Sequence, residues 1–523
     1  MIENTEHEGF WWLPGSESER LFGTLRLNRG RPELKVAGHF GHKVLSESES
    51  EIAYSFDLAD HPKILGVTTD GKAVTLEDCS SHGLVLPVPG TATAVYQASF
   101  ALFGAHFEED EIAGFDALGL RLSDLDEWAR VSGFSRPVVN VGDGPSGASP
   151  PLTIHIEYNR PPAIDVPLDN GESLQLDFHV SGPTLNVVAT SMSVSQRAEL
   201  RYRFASRVSL QDVSEKVIQL RNFLSLAVGR PVSVMSVTGF RDDFREPQHD
   251  FAVPIKIFWA IPHNPDPPTR SLHPRSTLFT LPEAVPHVSD VMKRWFARQQ
   301  VFKPVLSLYF AMTYHPDMFL DIRFLAFTQA LETYDFRRRD PYELSPEKHE
   351  RRLEQILNTV PEQWRSWLET KLLSSNYRTL GKRVRDVLAE CPTVSAKIVG
   401  ENSRKRSRFI KRLTDSRNYY THYSTDLEAA AATGIELYLL MLQVRTILEM
   451  SLLRELGFSE DAIDAVLDRA ERYARIENIR TQIREARAAK TPNRAAENAE
   501  LDIADLEADA ESLPDEAEAS PAS

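Results

Sequence analysis

Cysteine is almost missing from this chain: its 523 residues include only two, Cys79 and Cys391, far apart in sequence. Two such thiols cannot build a disulfide framework, nor a zinc site by themselves. No stretch approaches the ~18–20 uninterrupted apolar residues that a membrane-spanning helix needs. The opening MIENTEHEGFWWLPG has neither a basic n-region nor an apolar h-region. No secretory signal is therefore expected, and a reducing cytoplasm is the expected location. Fourteen of the fifteen histidines are scattered without metal-ligand spacing, and the acidic EEDE at 108–111 has no matching ligand pattern. Neither a metal nor a cofactor is expected. The first half has no nucleophile elbow, phosphate loop or paired-cysteine site, which argues against a hydrolase there.

What is present is the composition of a globular protein, 42% apolar and 26% charged, long enough for two or three domains. The formal charge of −16 is unevenly spread. Residues 495–523 hold ten acids and no base, so residues 1–494 carry only −6. That tail is rich in Ala, Ser and Pro and is expected to be disordered. The total therefore does not exclude an RNA-binding domain, because local charge decides.

The first half alternates apolar and polar residues at Thr24–Leu27, Leu34–Val36, Leu152–Tyr158, Leu174–Val180 and Leu200–Phe204, the period of half-buried antiparallel strands. Turns such as GDGPSGASPP at 142–151 separate them. Residues 212–229 interrupt as a helix, with Val213, Val217, Leu220, Leu224 and Ala227 on one face and Gly229 as cap. Trp11 and Trp12 are expected in the core. After the proline-rich stretch at 261–274 the spacing becomes helical. Residues 321–339 put Phe324, Phe327, Leu331 and Tyr334 on one face. The stretch 424–458 opens on a capping-box pattern, Thr425 to Glu428, and continues as an apolar helix that should be buried on several sides. The fold class is α+β multidomain: a β-rich domain with inserted helices over 1–285, an all-α bundle over 286–458, a charged C-terminal helix over 459–494 and the acidic tail.

The chemistry concentrates in DSRNYYTHYS, Asp415 to Ser424. His422 is the one histidine with an arginine, Arg417, five residues before it. Just upstream, Arg404, Lys405, Arg406, Arg408, Lys411 and Arg412 place six cations within nine positions, enough to hold a phosphate backbone. Positions five apart on one helix differ by roughly 140°. The capping box predicts a helix–helix junction after the histidine, where Arg417 and His422 can converge. Histidine can accept and return a proton near neutral pH. Arginine offers a fork of donors to the charge that builds on a phosphate. Tyr419, Tyr420 and Tyr423 could stack on unpaired bases or pack the bundle. Glu332, an acid on the upstream helix, could orient His422 or a basic partner, though an ion pair with an arginine such as Arg337 is the plainer expectation.

RNYYTH resembles the R-x4-6-H signature of HEPN domains. FLAFTQALETYDFRR resembles the first helix of the ApeA-like HEPN subgroup. FWWLPGSESERLFGTLRL at 10–27 and the LRNFLSLAVGRPVSVMSV segment are similar to the N-terminal domain of ApeA-type anti-phage proteins. The resemblance spans roughly residues 10–455. It implies a helical bundle that dimerises, with two motifs facing each other as a composite ribonuclease site. Arg417 and His422 inherit the catalytic roles, Asn418 a supporting one, with Tyr420 as a further supporting candidate. It also implies metal-independent cleavage of RNA, with transfer RNA the favoured class, in abortive infection after an unknown phage trigger. The alternative is a non-catalytic module that dimerises or binds nucleotide beside a partner-sensing N-terminal domain.

Overall fold

The computed structural model describes residues 4–47, 52–85, 92–108, 111–142, 151–185, 188, 190–245, 252–284 and 287–486. The acidic tail lies outside these residues, as do most of the 142–151 turn and two positions of the EEDE cluster. The chain forms two compact units. One comprises residues 1–301 with 313–316 and 455–457; the other comprises 302–312, 317–454 and 458–523.

The first unit is β-rich, with helices inserted. Among the described residues, thirteen strands join in one sheet with antiparallel pairing. Strand Ala73–Val85 pairs with His61–Thr68 and Phe100–Phe103 along its first half and with Thr93–Gln97 along its second. Through it, the strands from His61 by way of Thr5–Trp12, Leu21–Asn28 and Arg31–Ala37 to Thr93 close into a ring. Trp11, Leu25, Leu34, Val36, Leu76 and Tyr96 are fully buried in its core. Gly66 must be glycine because a Cβ there would collide with the Trp11 ring. Trp12 is buried as well.

Helices α1 (Leu125–Ala129), α2 (Leu210–Val228) and α3 (Leu281–Ala284) belong to this unit, with the first half of α4 (Val288–Tyr314). Ser209 caps α2 in a reciprocal box with Asp212, and Gly229 ends it in the left-handed conformation. Val213, Val217, Leu220, Leu224 and Ala227 are buried as their spacing predicts. One expected strand forms but is shorter and more exposed than its alternation implies. Within 152–158, Leu152–His155 pairs with Val138–Val141 and Tyr158 makes an isolated bridge with Phe134, while Leu152, Ile154 and Ile156 face solvent. Alternation specified the conformation there, but among the described residues no second layer covers its apolar face.

The second unit is helical: α5 (Leu320–Arg338), α6 (Pro346–Thr359), α7 (Glu362–Leu372), α8 (Leu380–Glu390), α9 (Pro392–Ile398), α10 (Ser403–His422), α11 (Thr425–Glu428), α12 (Gly434–Glu455), α13 (Glu460–Arg469) and a final run over 471–486. Phe324, Phe327, Leu331 and Tyr334 of α5 are buried, as are Leu437, Leu440, Val444, Ile447 and Leu448 of α12. At the centre Glu449 is fully buried, bonded to Tyr309 Oη (2.7 Å), Arg445 (2.9 Å) and Arg472. Burial pushes its carboxyl up, but Arg472 and Arg445 outweigh that and hold it below the ordinary value. Among the described residues no helix is long and apolar enough to cross a membrane.

Two helix boundaries differ from expectation. The stretch 424–458 is not one helix: Ser424 precedes the one-turn α11, no side chain caps it, and the long helix starts only at Gly434. Gly434 has φ 52°, so the chain reverses before α12 can begin. Ile435, beside that turn, is left 47% exposed. The charged helix expected over 459–494 likewise divides at Ala470, whose extended backbone stops α13.

Candidate active site

Helix α10 carries the whole motif. Asn402 caps its start, accepting from the Lys405 backbone N–H at 2.8 Å. Phe409, Ile410, Leu413 and Ser416 are its buried residues, and the rest of its circumference is polar, charged or aromatic. The helix ends at His422 because Tyr423 takes the left-handed conformation (φ 49°), an uncommon choice for a tyrosine. The Tyr423 hydroxyl donates to Asp321 of α5 at 3.1 Å, which raises its pKa.

The junction falls just after His422, as expected, but Arg417 and His422 lie together on one continuous helix before it. Their directions differ by about 140°, so one chain does not converge them. Arg417 turns toward α5. Its Nη2 lies 3.6 Å from Glu332 Oε2, and Nη1 donates to Asn418 Oδ1 at 3.1 Å. Glu332 thus pairs with Arg417 and not with Arg337. His422 is exposed, and among the described residues its ring has no hydrogen-bond or ion-pair partner.

Tyr420 is engaged in structure. Its hydroxyl donates to the Ala432 carbonyl at 2.9 Å and its ring meets Phe324 edge-on. Burial raises its pKa. Two further bonds tie the same turn to α10: the Ala432 N–H donates to the buried Ser416 Oγ at 2.9 Å, and Arg412 donates to the Ala430 carbonyl at 2.5 Å. Tyr419, Tyr420 and Tyr423 form one aromatic cluster at this end of the helix.

The six cations upstream do not act alike. Arg412 is also paired with Glu436 (2.6 Å), Lys411 with Asp415 (2.8 Å), and Arg406 donates to the Glu401 carbonyl. Arg404, Lys405 and Arg408 are exposed, and their side chains have no such partner among the described residues. Arg404, Arg408, Lys411, Asp415, Asn418 and His422 follow one another at intervals of four and three residues, one stripe along the helix. Arg404 and His422 are about five turns apart and point the same way. This alignment was available in the residue spacing, where density of charge was read but not its direction. Ser416 as a clamp for the 430–432 turn carried no signal at all. Among the described residues, no group of three or more His, Cys, Asp or Glu side chains could hold a metal ion.

The family model for ApeA N-terminal domain 1 matches residues 6–295, more than half of the chain, and that for ApeA-like HEPN matches residues 325–462. The chain belongs to the ApeA family. Most of α5 and the whole of α6 to α12 lie within the HEPN match, which takes in Glu332, the basic run, Arg417 and His422. Membership of the HEPN family points to a nuclease or RNA-related function. Comparison with curated proteins gave no match, and neither did comparison with solved structures.

Proposed function

We propose that the HEPN domain is a metal-independent endoribonuclease that acts as a dimer. The observation that carries this reading is the stripe of α10, which leads exposed cations to an unencumbered His422. In the proposed reaction His422 takes the proton of a ribose 2′-OH, whose oxygen attacks the adjacent phosphorus. The bond from phosphorus to the 5′ oxygen breaks, and an imidazolium returns a proton to that oxygen. The products carry 2′,3′-cyclic phosphate and 5′-hydroxyl ends. Arg417 stabilises the charge that accumulates on the phosphate oxygens, with Glu332 and Asn418 fixing its fork. Because α10 sends Arg417 and His422 in different directions, a second copy facing the first is the simplest way to supply both groups to one phosphate.

The substrate is proposed to be RNA with unpaired bases, transfer RNA foremost, and the setting to be growth arrest of a phage-infected cell. The N-terminal domain would restrain or trigger the nuclease. The rival reading, a bundle that only dimerises or binds nucleotide, draws on the Arg417–Glu332 ion pair, which already occupies the arginine. Incubating the purified full chain with a transfer-RNA pool separates the two. Cyclic-phosphate ends formed equally in EDTA and in Mg²⁺ are expected; no cleavage, or cleavage only with added metal, would count against the proposal.

A further inference from the structure

A second feature of the HEPN unit takes no part in the chemical step but overlaps the basic run of α10. Helices α9, α10 and α12 and the final run 471–486 surround a cleft of about 740 Å³. Its floor is apolar: Val399, Phe409 and Leu440 are buried, while Leu439 and Ile483 are left half-buried. Its rim is basic. Lys397, Arg412 and Arg480 line it already paired with Asp464 and Asp468, Glu436 and Glu477 respectively. Lys405 and Arg408 line it with no carboxylate partner among the described residues, and Arg484 bonds only to Thr481. A largely aliphatic floor under cations without carboxylate partners fits an amphipathic acidic segment, whose apolar face and acids match both features.

Such a segment follows in the same chain. Ile483 and Arg484 line the cleft, and the sequence continues from residue 487 to 523. Ala499, Ile503, Leu506, Ala510 and Leu513 recur at steps of four, three, four and three, the spacing of one helical face. Glu500, Asp502, Asp505, Glu507, Asp509 and Glu511 fall outside that face. The intervening residues 487–498 can span up to ~40 Å when extended, enough to return to the cleft.

We infer that residues 499–513 dock in this cleft as an intramolecular acidic ligand, engage Lys405 and Arg408, and so compete with RNA for the basic run of α10. The inference rests on the RNA-binding half of the proposed function but not on cleavage. A tether of this length supplies an effective concentration in the millimolar range, so even weak docking would keep the cleft largely occupied.

The test uses the full chain with spin labels at Glu401→Cys, on the cleft, and Ser512→Cys, in the tail; the native Cys79 and Cys391 are both buried. A short interspin distance that is lost on Lys405→Glu/Arg408→Glu is expected. A distribution that lacks this short component, or one that survives both reversals, overturns the inference. Binding of a labelled single-stranded RNA, measured in full-length His422→Ala, covers the competition. Converting the tail acids to Asn and Gln should tighten RNA binding about tenfold. Unchanged affinity alongside a docked tail overturns the competition. Both readouts are independent of RNA cleavage, so failure of the ribonuclease reading would be seen separately.

Discussion

Arg417 and Glu332 meet across α10 and α5 with Nη2 and Oε2 3.6 Å apart, each side chain about one-third exposed. A pair that open to solvent contributes ~0–1 kcal/mol to stability. It can still fix the direction in which the guanidinium points. Glu332→Gln should therefore leave the melting temperature nearly unchanged while slowing RNA cleavage severalfold. Equal losses in both would mean that Glu332 is only part of the bundle's packing.

The turn at 430–432 hangs on α10 through Ser416 and Tyr420. Ser416→Ala leaves a buried N–H without an acceptor, a cost of ~1–3 kcal/mol. Tyr420→Phe removes one ordinary bond and should cost about 1 kcal/mol. Thermal melts of the two variants should rank in that order. If Tyr420 instead stacks on substrate, Tyr420→Phe should keep its aromatic contact and Tyr420→Ala should weaken RNA binding without a matching loss of stability.

Glu77, in the β-rich unit, is mostly buried 3.9 Å from Lys63, and burial pushes its carboxyl up to about 7 against the pull of that lysine. The native carboxyl thus keeps a proton that the unfolded chain releases near 4.5. Between those values the folded state binds more protons, so stability falls as pH rises from 5 to 7, by at most about 3 kcal/mol. Urea midpoints at pH 5 and pH 8 should show this decline in wild type and a flatter profile in Glu77→Gln. Parallel profiles for the two proteins would remove Glu77 as the cause.

Much of this was legible in the residues. The strands and helix α2 announced themselves by periods of two and 3.6, because one buried face imposes that spacing. Tyr423 hid the end of α10, since a left-handed tyrosine has no sequence signal comparable to glycine. Thr425 and Glu428 looked like a capping box, yet four residues before a reversal at Gly434 cannot propagate a helix. Glu332 does pair with an arginine, but with Arg417 in place of Arg337, because Arg417 comes near only once α5 and α10 pack together.

Sequencing RNA ends from cells expressing wild type and His422→Ala at equal folded levels tests the central claim most directly. The account predicts 2′,3′-cyclic phosphate ends at defined positions, concentrated in transfer RNA, in wild type and their disappearance in the variant. The same ends produced by well-folded His422→Ala would contradict it.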